Sequence, residues 1–438
     1  QRRGENVNIK TVTVLGANGT MGRNVSAIFA SFGQAKVYMM CRNMKKSEEA
    51  VKLAFHSIRA ESIKDNLIPV TYDDLQKCIS ESDLIFESLS EDLSVKKEMY
   101  QNLKKYLKKE AIIATGTSGL SIKKLSQSFG VKSNDFFGIH MFNPPYNLPL
   151  CELIVHDDSQ RLKADRIKEY LSNKLKRTVV EVKDSPSFLG NRIGFFFINQ
   201  AMIMAERYKD QGGIDYIDSI LGSFTGRNMS PLVTSDFVGL DVHKSIVDYI
   251  YENTEDSFNE YFKAPEYLNR LVDEGMLGRK VNNGLYHKDR DRNDIYVYDI
   301  KSNEYRIKNN YQFYFANKMI KNILIGDYNR AIDILLSDES LEAIICKTML
   351  LQYIVYSLKI SMEVSTDIRS CDDAMATGFS WIPPIALISL LGGKKRVREL
   401  SKKYLDDNFN DILEDRLLFD SIPEYSNYDF RPFLKARY

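Results

Sequence analysis

Short apolar runs alternate with amphipathic stretches over the first part of the chain. The β-branched run 11–15 predicts a strand, the apolar spacing from Val25 to Phe32 predicts a helix, and 36–40 predicts the next strand. The same alternation continues with predicted helices and strands at 45–59, 70–72, 84–86, 95–107 and 111–114. Strands that alternate with helices in this way indicate a parallel sheet.

The pattern changes after the polar, proline-bearing stretch 183–187, which predicts a domain boundary. Beyond it helical spacing dominates, with predicted helices at 192–209, 214–221 and 240–252. Residues 293–307 predict a small hairpin, because two tyrosine-bearing runs flank a polar turn.

A weak internal repeat follows the hairpin. The apolar segment 384–392 begins with proline and mirrors the segment 231–239. The second copy has no match to the pair Asn191-Arg192. We therefore expect a second, structural helical domain.

Three glycines lie between the first predicted strand and the first predicted helix, in the spacing G-x-x-G-x-x-G. A glycine turn between a strand and a helix is the context in which a dinucleotide pyrophosphate binds at a helix N-terminus. The spacing is one residue longer than the usual dinucleotide pattern, and a purely structural turn is the alternative. The predicted cofactor-binding residues of this turn are Gly16, Asn18, Gly19, Thr20, Met21 and Gly22.

The end of the second predicted strand carries Cys41 and Arg42 where a site for NAD(H) usually has Asp or Glu. An arginine there can bind the 2′-phosphate of NADP(H). The alternative is that Arg42 only lies over the adenine. We predict NAD(H) or NADP(H) as the cofactor, with NADP(H) favoured by a small margin.

The stretch HMFNPPYNLPLCE, from His140 to Glu152, predicts a strand, a turn closed by Asn143-Pro144-Pro145, and another strand. Such a turn can bring His140 beside Glu152. An imidazole beside a carboxylate forms a proton-transfer pair, because the carboxylate fixes the tautomer and favours the charged ring. The alternative is a structural histidine near a surface glutamate.

Composition narrows the possible partners and the location. The formal net charge of +1 provides no overall field that favours nucleic acid or an anionic membrane. The five cysteines are widely spaced without a C-x-x-C pair, which favours reduced thiols over disulfides or a zinc site. The N-terminus has no apolar signal segment, and the longest apolar run, near 193–205, is too short to span a bilayer. We expect a cytoplasmic protein without bound metal, nucleic acid or membrane.

Several of these stretches together resemble the L-3-hydroxyacyl-CoA dehydrogenase family. The matching segments, which extend from residue 11 to about 290, are VLGANGTMG, DLIFESLSEDLSVKKEMY, TGTSGLSI, FGIHMFNPP, LCELI and SPSFLGNRIG. The resemblance implies an α/β domain with a Rossmann-type doubly wound sheet, followed by two all-α domains of the family's C-terminal type.

The resemblance also implies roles for individual residues. His140 would be the general base and acid, Glu152 its orienting carboxylate, Ser118 a contact of the substrate hydroxyl, and Asn191 a contact of the histidine and the substrate carbonyl. Taken alone, Ser118 could be a helix cap and Asn191 a polar residue at a helix start. Glu91 and Lys96 would line the cofactor side, and Asn143 would contact the nicotinamide.

The chain departs from the family pattern at three points: Gly116 replaces the usual Asn, the glycine loop is longer, and Cys41 replaces the ribose-binding Asp. These departures affect the prediction of NAD(H) or NADP(H) as the cofactor more than the prediction of the reaction.

The function that this resemblance implies is interconversion of (S)-3-hydroxyacyl and 3-oxoacyl thioesters, with acyl-CoA as the expected substrate. Alternatives are an acyl group on a carrier protein, a free hydroxy acid, or a catalytically idle scaffold. A group of cations could meet the phosphates of coenzyme A, or could be a solvated face; it consists of Lys45, Lys46, Lys52, Arg59 and Lys64.

The expected organisation combines these points. We predict a dinucleotide-binding domain at 1–182, a helical substrate domain at 183–290, a hairpin linker at 291–310, and a second, degenerate helical domain with a tail at 311–438. The arrangement resembles that of multifunctional fatty-acid-oxidation proteins, in which a duplicated helical domain imitates the dimer contact. We expect a monomer or a weak homodimer, and no hydratase activity.

Overall fold

The computed structural model describes residues 8–58, 61–130, 135–289, 291–425 and 430–434. The chain forms two compact units, which meet in sequence between Phe188 and Leu189. The predicted boundary at 182/183 falls at the end of the last strand of the first unit, shortly before this point.

The first unit is built on an eight-stranded sheet with the order β3-β2-β1-β4-β5-β6-β7-β8. Every pairing in it is parallel except that of β6 with β7. The strand order runs outward from β1 in one direction to β3 and then continues on the other side of β1 with β4. At this switch point a crevice opens beyond the carboxyl ends of β1 and β4. The strands are β1 Thr11–Leu15, β2 Lys36–Cys41, β3 Leu67–Thr71, β4 Leu84–Glu87, β5 Ile112–Thr115, β6 Phe136–Met141, β7 Leu150–Val155 and β8 Thr178–Lys183.

Helices connect most of these strands, whereas a turn joins β6 to β7. The predicted doubly wound sheet is confirmed, and all but one of its strand pairs are parallel. Several bounds differ from the sequence prediction. β3 begins at Leu67 and not at residue 70, and Tyr72 begins a 3₁₀ turn after it. The helix predicted at 95–107 begins at Leu93 and ends in a 3₁₀ turn at Lys104–Tyr106. The helices are α1 Thr20–Ser31, α2 Met44–Ile58, α3 Leu75–Glu81, α4 Leu93–Leu103, α5 Ile122–Phe129 and α6 Arg161–Glu169, which a π-helical turn, Tyr170–Lys174, extends.

The second unit is mainly helical. Its helices are α7 Gly190–Arg207, α8 Ile214–Ile220, α9 Pro231–Val238, α10 Leu240–Asn253, α11 Glu266–Asp273, α12 Tyr314–Leu324, α13 Tyr328–Ser337, α14 Leu341–Val364, α15 Ser370–Gly378, α16 Pro384–Leu390, α17 Lys394–Tyr404, α18 Asp407–Glu414, α19 Arg416–Ser421 and α20 Arg431–Leu434. The predicted hairpin is confirmed as β10 Ile295–Asp299 and β11 Glu304–Ile307, and a third strand, β9 Tyr286–Lys288, joins it.

The core of the second unit lies where α7 packs on α14. Helix α14 is long and apolar enough to cross a membrane by length and composition, but 78% of that apolar stretch is buried inside the unit. The Phe196 ring of α7 stacks on the Tyr356 ring of α14 with centroids 3.9 Å apart. These contacts identify α14, in this structure, as a buried core helix.

The repeat predicted from the sequence has a structural counterpart. Asp218 accepts hydrogen bonds from the backbone N–H groups of Leu232 and Val233 at the start of α9. Asp372 accepts the equivalent bonds at the start of α16, and both helices begin with proline. Both copies belong to one compact unit, so their division into separate domains near residue 311 stays a prediction.

Candidate functional site

The glycine turn lies between β1 and α1, at the crevice. Gly16 has a φ of +74°, and a Cβ atom on it would lie 2.5 Å from the Ser88 carbonyl oxygen. A Cβ atom on Gly22 would lie 2.6 Å from the Gly16 carbonyl oxygen. Both positions therefore require glycine for reasons internal to the protein.

Gly19 is different, because a Cβ atom there would meet nothing closer than the Gly16 carbonyl oxygen at 3.5 Å. The protein itself has room for a side chain at this position. Gly19 is also the N-cap of α1, and no side chain caps that helix. A bare, uncapped helix N-terminus fits a pyrophosphate that approaches the backbone closely.

A cavity of about 320 Å³ extends from this turn along the carboxyl ends of the strands. Of the predicted residues, Gly16, Asn18, Gly19 and Arg42 line it, whereas Thr20, Met21 and Gly22 lie in the first turn of α1. Tyr72, which no sequence pattern predicts at this site, also lines the cavity, because β3 ends beside β2. Among the described residues, the lining consists of Gly16, Asn18, Gly19, Arg42, Lys46, Tyr72, Ser88, Leu89, Ser90 and Val95.

Cys41 and Arg42 have different surroundings. Cys41 ends β2 and is 1% exposed, and burial raises the pKa of its thiol. Arg42 is exposed at the cavity. The feature of this strand end that faces the cavity is therefore a cation, and the predicted cofactor contact of Cys41 itself stays a prediction.

Glu91 contacts two of the other predicted residues, Ser118 and Lys96. Its carboxylate accepts a hydrogen bond from the Ser118 backbone N–H at 2.9 Å and lies 3.6 Å from the Lys96 ammonium. The Thr117 hydroxyl donates to the same carboxylate at 2.8 Å. Glu91 therefore holds the loop after β5, on which Ser118 is exposed.

Glu87, at the end of β4, was missed in the sequence analysis. Its fully buried carboxylate accepts hydrogen bonds from the Lys96 ammonium at 2.6 Å, the Tyr100 hydroxyl at 2.8 Å and the Thr115 hydroxyl at 2.7 Å. Lys96 is itself 1% exposed. Lys96 was predicted to line the cofactor side, but its ammonium is enclosed between Glu87 and Glu91 and is absent from the cavity lining.

His140 and Glu152 face each other across the antiparallel pair β6–β7. His140 Nδ1 lies 2.8 Å from Glu152 Oε1, and the two residues are 4% and 0% exposed. The rings of Phe142 and Phe188 flank the imidazole with centroids 4.6 and 5.7 Å away. The predicted pairing is therefore present, and it leaves Nε2 as the ring atom for proton exchange with a substrate.

Three further predicted residues have these positions. Asn143 follows β6 and accepts a hydrogen bond at 2.9 Å from Asn24 of α1. Helix α5 is capped by Ser121, so the alternative of Ser118 as a simple helix cap is wrong. Asn191 lies in the first turn of α7, in the second unit. The approach of Ser118 and Asn191 to His140 stays a prediction.

The predicted basic group on and after α2 is exposed where it is described. Lys45, Lys46, Lys52 and Lys64 are exposed, and Arg59 lies outside the described residues. Only Lys46 of this group lines the cavity.

Two family models match the chain. The model of the 3-hydroxyacyl-CoA dehydrogenase NAD binding domain matches residues 11–185, and that of the C-terminal domain of the same family matches residues 188–288. The first match covers most of the first unit. The second match covers the part of the second unit that contains the first copy of the repeat.

Individual proteins give the same result. A 3-hydroxybutyryl-CoA dehydrogenase of Bradyrhizobium diazoefficiens is 31% identical over 64% of this chain and 95% of its own length. A probable 3-hydroxyacyl-CoA dehydrogenase of Bacillus subtilis is 27% identical over 90% of this chain. The chain spans only 52% of the length of that relative.

A solved structure has a similar fold over most of this chain. The 3-hydroxybutyryl-CoA dehydrogenase of Escherichia coli is 19% identical, with a TM-score of 0.70 over 94% of this chain and 98% of its own. At this identity the likeness shows a shared fold alone, and it includes the second helical copy.

Proposed function

The chain belongs to the 3-hydroxyacyl-CoA dehydrogenase family, and we propose that it interconverts (S)-3-hydroxyacyl and 3-oxoacyl thioesters, with acyl-CoA as the substrate. The observation that carries this proposal is the buried His140–Glu152 pair at 2.8 Å, in the same unit as a glycine turn suited to a dinucleotide. A bound nicotinamide would accept or supply the hydride.

The role of His140 is to move a proton at Nε2. In the oxidation direction the substrate hydroxyl loses its proton to this nitrogen as the carbon loses hydride, and in reduction the same proton returns to oxygen. The doubly protonated imidazole is stabilised by the buried Glu152 carboxylate at Nδ1. General acid–base help of this kind contributes about 10²- to 10⁴-fold to turnover.

Two polar residues would complete the site. We propose that the Ser118 hydroxyl binds the substrate hydroxyl, and that the Asn191 amide holds the histidine and the substrate carbonyl in the reactive geometry. The exposed position of Ser118, on a loop that Glu91 fixes, supports the first assignment. Asn143 would contact the nicotinamide, which is consistent with its hydrogen bond to α1.

The cofactor preference follows from the cavity. Arg42 and Lys46 both line it, and the strand before them ends in Cys41 instead of a carboxylate. A carboxylate there would repel a 2′-phosphate, whereas two cations attract it. We therefore propose that the protein accepts NADP(H) as well as NAD(H), with NADP(H) preferred.

We also propose a monomer in a reducing, cytoplasmic location. The packing of α7 on α14 within one chain supports the monomer, because it supplies a helical contact that a second copy would otherwise provide. The cysteines Cys41, Cys78, Cys151, Cys346 and Cys371 are free and buried, which supports the location.

The test is a nicotinamide-absorbance assay with acetoacetyl-CoA, run separately with NADH and NADPH. Oxidation of either cofactor by the wild-type protein, with loss of that activity in the His140→Ala variant, supports the proposal. Cofactor binding without oxidation would overturn the acyl-CoA assignment and would favour a free hydroxy acid, an acyl-carrier substrate or a scaffold role.

A further inference from the structure

Arg192 follows Asn191 in the first turn of α7, and it is buried with 5% exposure. Its Nη2 donates to Asp256 Oδ2 at 3.2 Å, and its Nε donates to the Tyr356 hydroxyl at 3.3 Å. Asp256 belongs to the loop after α10, whereas Tyr356 belongs to α14, in the second helical copy. The guanidinium thus joins the start of α7 to that second copy.

The second copy contributes a second group to the same cluster. Lys359, also in α14, places its ammonium 3.4 Å from Asp256 Oδ2. The Asp256 carboxylate therefore lies between two cations, one from each copy. Because a buried guanidinium is costly without partners, this cluster fixes where the Arg192 side chain can lie.

A second contact on the same face of α7 reinforces the first. Phe196 lies four residues after Arg192, so both side chains project from one face of the helix. That face meets Tyr356, whose ring stacks on Phe196 at an interplanar angle of 13° and whose hydroxyl accepts from Arg192. Tyr356 therefore contacts two successive turns of α7, through its hydroxyl and through its ring.

The rotation of α7 about its own axis sets the direction in which Asn191 projects. Successive residues of an α-helix project about 100° apart around its axis. If the face with Arg192 and Phe196 is fixed against α14, the rotation of α7 is fixed and the direction of the Asn191 amide follows from it. A displacement of about 1 Å in a positioning group can reduce turnover about 10²-fold.

We infer that Tyr356 and Asp256 are positioning residues, which act through Arg192 to hold Asn191 in its working orientation. The inference rests on the proposed function, because it takes Asn191 as a group that contacts the substrate. It gives the second helical copy, which lacks an Asn-Arg pair of its own, a part in the reaction of the first.

The test uses Tyr356→Phe, which removes the hydroxyl and keeps the stacked ring. The matched control is Tyr353→Phe, because Tyr353 is also buried in α14 and its hydroxyl donates to the Ile382 carbonyl at 2.7 Å, away from Arg192. We expect Tyr356→Phe to lower kcat about tenfold, the usual size of one lost hydrogen bond to a charged group, with the Kd for NAD(P)H unchanged. Tyr353→Phe should lower Tm about as much as Tyr356→Phe does, but it should leave kcat unchanged.

A double mutant separates positioning from general stability. In an Asn191→Ala background, Tyr356→Phe should cause no further loss of kcat, because the group that it positions is already absent. Asp256→Asn, at a side chain that is 27% exposed, provides a second variant with the same expectation.

Other outcomes would overturn the inference. Equal kcat in Tyr356→Phe and Tyr353→Phe, or additive losses with Asn191→Ala, would reduce Tyr356 to a packing residue while the proposed function stands. A folded wild-type protein without thioester dehydrogenase activity would overturn the proposed function and this inference together.

Discussion

Glu152 in β7 and Glu87 in β4 are both fully buried carboxylates of the first unit, and each holds a basic side chain at short distance. The partner of Glu152 is an imidazole, a side chain that can both accept and donate a proton. The partner of Glu87 is the Lys96 ammonium, which Glu91 also binds. A buried carboxylate paired with an imidazole is suited to proton transfer. A buried carboxylate paired with an ammonium, as at Glu87 and Lys96, instead stabilises the local structure.

The largest effect is expected from removal of the imidazole. His140→Ala should lower kcat at least about 10²-fold, because it removes the group that accepts the substrate proton. Cofactor affinity should change little, since His140 does not line the cavity at the glycine turn. Steady-state kinetics and fluorescence titration of NAD(P)H measure the two quantities, and unaltered turnover would contradict the assignment.

Removal of the Glu87 charge should act on the fold instead. Glu87→Gln leaves a buried ammonium without its main partner, so the free energy of unfolding should fall by about 3–5 kcal/mol. The matched control is Glu81→Gln, because Glu81 binds Lys36 at 3.1 Å on the surface, where ion pairs contribute little. Urea denaturation measures both variants.

A second substitution sharpens this prediction. Adding Lys96→Met to Glu87→Gln removes the stranded charge, so the double variant should be more stable than Glu87→Gln alone. A double variant that is less stable than the single one would mean that Lys96 stabilises the fold chiefly through Glu91.

The two pairs also differ in how far the sequence predicts them. His140 and Glu152 could be predicted, because a short turn between two strands brings both residues to one edge of the sheet. The enclosure of Lys96 could not be predicted, because its partner Glu87 is held by Tyr100 and Thr115. These two residues reach Glu87 from a helix and from a neighbouring strand.

Other parts of the molecule follow the same division. The glycine turn and the general alternation of strands and helices in the first unit come from local spacing and were predicted. The helices α3 and α6 and the strand β8 were not predicted. The position of Tyr72 in the cavity depends on the pairing of β3 with β2, and the short strand β9 has only three residues in which to show a pattern.

Asp372 extends the comparison to a buried carboxylate that accepts from backbone N–H groups. Burial raises its pKa to about 7. Since the unfolded pKa is lower, the stability from this group is complete below about pH 4 and is lost as the pH rises through about 7. Asparagine does not titrate in this range, so Asp372→Asn lacks this loss of stability. Its free energy of unfolding, measured relative to wild type, should therefore increase by about 2–3 kcal/mol from pH 5 to pH 8.

The other copy of the repeat supplies the control. Burial raises the pKa of Asp218 to about 6. Asp218→Asn should therefore show a shift of the same sign but smaller, because less of the transition lies between pH 5 and pH 8. Urea denaturation at both pH values measures each variant, and shifts of opposite sign would contradict the equivalence of the two caps.

In contrast to these buried acids, Arg42 is an exposed cation at the cavity. It follows Cys41, which lies where a carboxylate is usual for NAD(H). Arg42→Ala should raise the Kd for NADPH by about tenfold, the loss expected for one charge-assisted hydrogen bond to a phosphate. The Kd for NADH should change much less, because NADH has no 2′-phosphate. Lys45→Ala is the control, since Lys45 is exposed on the same helix as Lys46 but does not line the cavity. Equal losses for the two cofactors in Arg42→Ala would mean that Arg42 lies over the adenine and that the strand end does not select NADP(H).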